Sequence, residues 1–212
     1  NHHGHVPRLK AAVGALGFDA SAFRVILYQW VRFLKGKEVA KMSKRAGTLL
    51  TAGEVLKEVG VDAVRFFILS YDPNSPIDFD LDLAKERSAK NPVYYVQYAH
   101  ARTASILTKA EGLKSNVKIN YKLLNTDYEL GLIKQISRLP ELVEEIASSF
   151  AVHRLTAYAI DLADAFHKFY ENCRVLDEKE ELKNARLALI KATQTALKNT
   201  LDLLGISAPK KM

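Results

Sequence analysis

Lys41, Ser43 and Lys44 set two ammonium groups and a hydroxyl within four residues, with Met42 between them and Arg45 next. Donors of this kind suit the polyphosphate of ATP. Charge that grows on phosphate oxygens as pyrophosphate departs is met by ammonium groups, a hydroxyl and backbone amides. Met42 would anchor such a loop by apolar contact, and Gly47 would let its backbone turn and move. A solvated basic turn has the same composition, so the five residues alone leave both readings open.

A second group lies at Tyr95, Tyr98 and Arg102. The spacing i, i+3, i+7 puts all three on one stripe of a helix. Aromatic faces stack on unpaired bases, and a guanidinium stacks or meets phosphate. A half-buried helix face with tyrosine hydroxyls at its rim needs the same residues, and from the residues alone that packing reading leads. Tyr94 falls on another face and is expected to pack. His2, His3 and His5 offer imidazoles but have no Cys or Asp partner at ligand spacing, so no metal site is expected. His100, His153 and His167 read as satisfied or exposed helix residues. Asp78, Asp80 and Asp82 read as a helix cap and its neighbours rather than as metal ligands. Cys173, the one cysteine, excludes an intrachain disulfide, fits a reducing compartment and reads as a structural thiol.

The elements that would position these groups can be read from periodicity and punctuation. Pro7 and Gly17 bracket a short helix. Residues 24–34 are rich in β-branched and aromatic types, with a turn at Lys35-Gly36-Lys37 and a return through Glu38-Val39-Ala40. That predicts a strand pair leading into the basic loop. Thr51-Ala-Gly-Glu54 is a capping box, and its helix should stop at Gly60. A further helix starts near Asp62, residues 72–76 form a loop, and Asp80 caps a short helix. Asn91-Pro92 is an N-cap followed by proline at the first helical position. Helical stretches are expected from there to Leu107, then over 127–148 with a kink or break at Pro140. The stripe Val152, Leu155, Ala159, Leu162, Ala163, Phe166, Phe169 gives a third helix. A fourth is capped around Asp177–Glu180, carries Leu182, Leu189, Ala192, Ala196 and Leu203, and ends at Gly205. Helices with such stripes hide them against one another, so 91–212 is predicted to be a bundle.

The chain has 212 residues, enough for one good core. Lys and Arg number 31 against 24 Asp and Glu, a net charge of +7, which favours a polyanionic partner. No apolar run nears the roughly 18 residues that span a bilayer, and the first residues lack a signal-peptide pattern.

Glu38 to Gly47 resembles the KMSK loop of class I aminoacyl-tRNA synthetases. With Gly60-Val-Asp-Ala-Val-Arg-Phe-Phe-Ile-Leu69, Asp78-Phe-Asp-Leu-Asp-Leu-Ala84 and Asn91-Pro-Val-Tyr-Tyr-Val-Gln-Tyr-Ala-His-Ala-Arg102, it resembles bacterial-type arginyl-tRNA synthetase over nearly the whole chain. The family's other ATP motif, His-x-Gly-His, is absent, as is most of its nucleotide-binding fold. Asn1 stands where the family usually has an acidic residue. The chain therefore reads as a C-terminal part. The resemblance implies a mainly α fold, an antiparallel DALR-type helical bundle behind a small α/β remnant of the catalytic domain. It implies three regions: a catalytic remnant over 1–50, a connector over 51–90 and an anticodon-binding domain over 91–212. It implies catalytic roles for Lys41, Ser43 and Lys44, and ATP contacts from His2, His3, Gly4, Lys41, Met42 and Lys44. It gives tRNA contacts to Tyr95, Tyr98, Arg102 and Met212. The expected partners are tRNA(Arg), ATP with Mg2+ and L-arginine, for a cytoplasmic monomer with no membrane attachment. The whole protein would be an arginine–tRNA ligase, and this chain alone would be inactive. The competing expectation is a non-catalytic tRNA-binding module.

Overall fold

The computed structural model describes residues 2–36, 38–39, 51–110 and 118–212. A 3-10 turn over His2–Gly4 leads into α1 (His5–Ala15), which Gly17 ends at φ +84°. α1 buries no residue. β1 (Val31–Lys35) turns at Gly36 (φ +63°) and pairs antiparallel with β2 (Glu38–Val39). The strand is shorter than the 24–34 run suggests. Its other partner is only four residues long, so the ladder ends where that partner does. That partner, over Ile77–Asp80, was missed in the sequence.

Thr51 closes its capping box with Glu54 and opens α2 (Ala52–Val59). Gly60, at φ +85°, separates it from α3 (Val61–Leu69). After a loop, β3 (Ile77–Asp80) lies parallel to β1, with Val31 opposite Ile77 and Phe33 opposite Phe79. The sheet order is β2-β1-β3. Ile77 and Phe79 point inward while Asp78 and Asp80 point out, a two-residue alternation that was present in the sequence. The three aspartates are all used locally. Arg32 donates to Asp78 at 2.6 and 2.9 Å. Asp80 accepts from the Asp82 and Leu83 amides and so caps α4 (Leu81–Lys85). Asp82 accepts from the Gly36 amide at 2.8 Å.

Among the described residues five α-helices follow: α5 (Pro92–Lys109), α6 (Asp127–Ser137), α7 (Leu139–Ser149), α8 (His153–Asn172) and α9 (Glu180–Leu204). Arg138 divides α6 from α7, and Pro140 sits in the first turn of α7, where its missing N–H costs nothing. α8 turns its predicted stripe inward, and Leu162, Phe166 and Phe169 are fully buried. α9 differs from expectation in two ways. Its N-cap is Lys179, with no side-chain cap; Glu180 and Glu181 in the first turn favour its positive end instead. Its buried face includes the expected Leu189 and Ala196 but departs from the stripe elsewhere. Leu203 is 58% exposed and Ala192 is exposed, while Thr193 and Thr200 are buried. Those threonines can be buried because each hydroxyl donates to the carbonyl four residues back, at 2.8 Å.

The fold is therefore mainly helical, with the expected bundle present. One buried cluster runs from Val55, Phe66 and Phe79 through Val96 and Phe166 to Leu204 and Ile206. By contrast Leu16, Phe18, Tyr28 and Trp30 are each more than two-thirds exposed.

Candidate nucleic-acid interface

The phase of α5 is set at its first residue. Asn91 is buried, its side chain accepts from the Val93 amide, and its amide nitrogen donates to the Ala84 and Glu86 carbonyls. Val93, Val96, Ala99 and Thr103 then face the core. That turns Tyr98 outward, with Tyr94, Tyr95 and Arg102 half-buried.

Tyr98 is the centre of an aromatic shelf. Its ring lies nearly parallel to that of Tyr94 (centroids 6.3 Å, 8°) and stacks on His167 of α8 (6.0 Å, 22°). Tyr95 leans on the same imidazole at 4.9 Å and packs against the core. The Arg102 guanidinium donates to the Tyr98 hydroxyl at 3.1 Å and lies 4.6 Å over the Tyr170 ring. Burial first, then the charge of Arg102, hold the His167 imidazole below its ordinary pKa, so it supports the shelf in its neutral form. Burial, followed by the Asp164 carboxylate, pushes the Tyr95 hydroxyl up.

A cleft of about 590 Å3 opens beside this shelf, lined by Tyr98, Arg102, Ser105 and Lys109 of α5, by Tyr170 and Leu176, and by Lys210, Lys211 and Met212. Four cationic side chains line it and, among the described residues, no Asp or Glu side chain does. Two other clefts have a different character. One beside α6 and α8 carries Asp127, Asp161 and Asp164; one beside α7 and α9 is lined mostly by apolar groups such as Ile119, Ile136 and Leu139. Each of these also holds one exposed tyrosine and one lysine, Tyr128 with Lys168 and Tyr121 with Lys191; the first groups two tyrosines with four cations and no Asp or Glu side chain, the combination that suits single-stranded nucleic acid.

A family model described as the DALR anticodon binding domain matches residues 96–212, from within α5 to Met212. The chain belongs to the DALR anticodon-binding family. Within the DALR domain the cleft is the surface on which α5, α8 and the 206–212 segment meet. The arginine–tRNA ligase of Moorella thermoacetica is 48% identical across all of this chain, which spans 39% of that relative's length. A crystal structure described as an arginyl-tRNA synthetase, from Campylobacter jejuni, superposes with a TM-score of 0.85 at 31% identity. It covers all of this chain and 46% of its own. The Thermus thermophilus arginyl-tRNA synthetase gives 0.77 at 29% identity, over 96% of this chain and 38% of its own. The chain thus spans about two-fifths of the curated relatives it matches.

The DALR domain brings Tyr98, Arg102 and Met212 into one cleft, as the helical spacing predicted for the first two. Tyr95 is beside the cleft rather than in its lining. Tyr94, expected to pack, instead extends the shelf, because residues four apart on a helix stand one above the other. Tyr170 and Lys109 were not singled out from the sequence, and His167 was read only as a satisfied or exposed helix residue. Tyr170 sits one residue past Phe169 on the α8 stripe, an aromatic at its polar edge, and that was its only signal. His2, His3 and Gly4 form the exposed 3-10 turn before α1 and do not line the cleft. Lys41, Met42, Ser43 and Lys44 lie outside the described residues. Among the described residues no cluster of His, Cys, Asp or Glu is placed to hold a metal ion, and no helix is long and apolar enough to cross a membrane.

Proposed function

We propose that this chain is the tRNA-binding part of an arginine–tRNA ligase, and that the cleft beside α5 takes the anticodon loop of tRNA(Arg). The observation that carries the reading is the cleft itself: Tyr98, Tyr170 and Arg102 offer stacking planes, while Lys109, Lys210 and Lys211 ring them with charge. Tyr98 stacks on a base and Tyr95 braces it through His167. Arg102 stacks or meets phosphate, and Met212 gives apolar contact at the far wall. The relatives' names support arginine as the amino acid and aminoacylation as the reaction.

In the whole protein, ATP activates L-arginine as the carboxylate displaces pyrophosphate. Lys41 and Lys44 offset the charge growing on the phosphates, Ser43 donates a hydrogen bond, and His2, His3, Gly4 and Met42 help to seat the nucleotide. Mg2+ would accompany the ATP. These roles follow the resemblance to the synthetase family, the KMSK loop for residues 41–44 and the opening segment for residues 2–4. The same reading divides the chain at 50 and 90, with the catalytic remnant first, the connector next and the DALR domain last. It makes the protein cytoplasmic and monomeric, and it leaves this chain alone without adenylating activity. The KMSK motif and the length of the relatives favour it over a free-standing tRNA-binding module.

The test is a titration of labelled tRNA(Arg), and of its isolated anticodon hairpin, with this chain. Both bind, and a hairpin with a scrambled loop binds at least tenfold more weakly, since direct base readout separates them. Equal binding of the two hairpins would remove the anticodon assignment.

A further inference from the structure

The 206–212 segment brings three residues to the cleft, yet it has neither helix nor strand to hold it. Among the described residues, every hydrogen bond of residues 207–212 goes to three side chains: Asp62 of α3, and Gln97 and His100 of α5. Asp62 is the hub. Its carboxylate accepts from the Ser207 amide at 3.2 Å, from the Ser207 hydroxyl, and from Gln97 Nε2 at 2.8 Å. Gln97 in turn donates to the Ser207 carbonyl at 3.0 Å. Two residues on, His100 Nδ1 meets the Pro209 carbonyl at 2.8 Å, so that nitrogen carries the proton. Upstream, Arg65, also on α3, donates to the Leu204 carbonyl at 2.9 Å, and its guanidinium lies against Gly205. The α3 helix, which contributes nothing to the cleft lining, therefore grips the chain just before Lys210.

We infer that Asp62 is a positioning residue: it fixes Ser207 so that Lys210, Lys211 and Met212 stand ready at the wall of the RNA cleft. The inference rests on the anticodon reading of that cleft. Its physical basis is preorganisation. A segment already held in its bound shape loses less conformational freedom when RNA arrives, so removing the clip weakens binding without removing any contact to the RNA.

The experiment is a double-mutant cycle on this chain, with the anticodon hairpin of tRNA(Arg) as the probe. Asp62→Ala is made alone and on a background carrying Lys210→Ala, Lys211→Ala and Met212→Ala. Ser207→Ala is made in the same two backgrounds and leaves α3 intact should Asp62→Ala disturb it. On the native background each weakens binding, Asp62→Ala by about tenfold as preorganisation is lost. On the triple-alanine background each has less than a twofold effect, because contacting residues couple. An equal loss on both backgrounds means that Asp62 acts on the fold in general and overturns the inference; so does no loss on either. Hydrogen exchange of the 205–212 peptide, measured without RNA, separates this inference from the functional reading. Exchange rises in both variants if Asp62 holds the segment. Unchanged exchange overturns the clip even where RNA binding stands. A native chain that ignores the hairpin overturns the anticodon reading, and the exchange result then judges the clip alone.

Discussion

At the scale of single residues, the cleft divides its tyrosines by what lies behind each ring. Tyr98 is 38% exposed and lines the cleft, with Tyr94 and His167 stacked near its ring and the Arg102 guanidinium 5.8 Å from its centroid. Tyr95 packs on the core as well as on His167. Tyr98→Ala should therefore weaken hairpin binding by roughly 1–3 kcal/mol and move the melting temperature little. Tyr95→Ala should lower both, because it removes core contact and the brace under His167. Titration beside a thermal melt for each variant checks this; a Tyr98 variant that binds normally would take that residue out of the interface. The Tyr98–Arg102 pair was legible because neighbours on a helix are fixed by a spacing of four. Tyr170 was not, because nothing in a linear sequence says which turn of α8 faces which turn of α5.

At the scale of elements, a buried ion pair ties the bundle together. Glu129, at the third position of α6, closes a capping box with Thr126 and also accepts from the Asn125 amide and from Arg186 Nε at 2.7 Å. Arg186, on α9, donates further to the Arg174 carbonyl and to Glu178. Both side chains are buried. The Thr-x-x-Glu pattern was readable in the sequence; its partner 57 residues on was not. Truncating one member strands the other charge, so Glu129→Ala should cost roughly 3–5 kcal/mol by denaturant unfolding. Burial acts to raise the Glu129 carboxyl, but the hydrogen bonds from Arg186 and Thr126 outweigh it, and its pKa lies below the ordinary glutamate value. The pair's stabilisation is therefore complete above the unfolded-state value, near 4.5, and fades as pH falls through the lower folded one. Glu129→Gln should be less stable than the native chain at pH 7, with the gap narrowing towards acid. A gap independent of pH would contradict the assigned linkage. Tyr158 does the opposite at the alkaline end. Burial pushes its hydroxyl up to about 12, while it donates to the Gln135 carbonyl. Its contribution is full below about 10, the unfolded value, and is lost as pH rises towards 12. Tyr158→Phe should flatten the alkaline limb of a stability–pH curve, and an unchanged limb would count against this.

At the scale of the whole molecule, charge and core are organised separately. The core is shared: Phe79 of β3 lies between Phe33 and Phe67, and the cluster it joins continues into α8 and α9. Local patterns disclosed the helices but not that continuity, since β1 and β3 meet across more than forty residues. The charge, in contrast, was legible as a sum and, on α5, as Arg102. A net +7 says that a polyanion is favoured, while the fold decides which cations it meets. Arg102, Lys109, Lys210 and Lys211 converge on the cleft, whereas Lys191 lies beside the apolar groove and donates to Gln194. If RNA enters the cleft, each cation there that meets a phosphate releases a counterion. The logarithm of the binding constant should then fall with the logarithm of salt concentration by about 0.7 per such contact on single-stranded RNA. Lys109→Ala should weaken hairpin binding at low salt and make that slope shallower by roughly 0.7, with no change in the preference for the native loop over a scrambled one. Lys191→Ala, of identical charge change but outside the cleft, should leave the slope as it is. Titrations of the native chain and both variants at four or five KCl concentrations decide between them. Equal slopes for Lys109→Ala and Lys191→Ala would mean that RNA responds to the molecule's overall charge and does not lie against the α5 cleft.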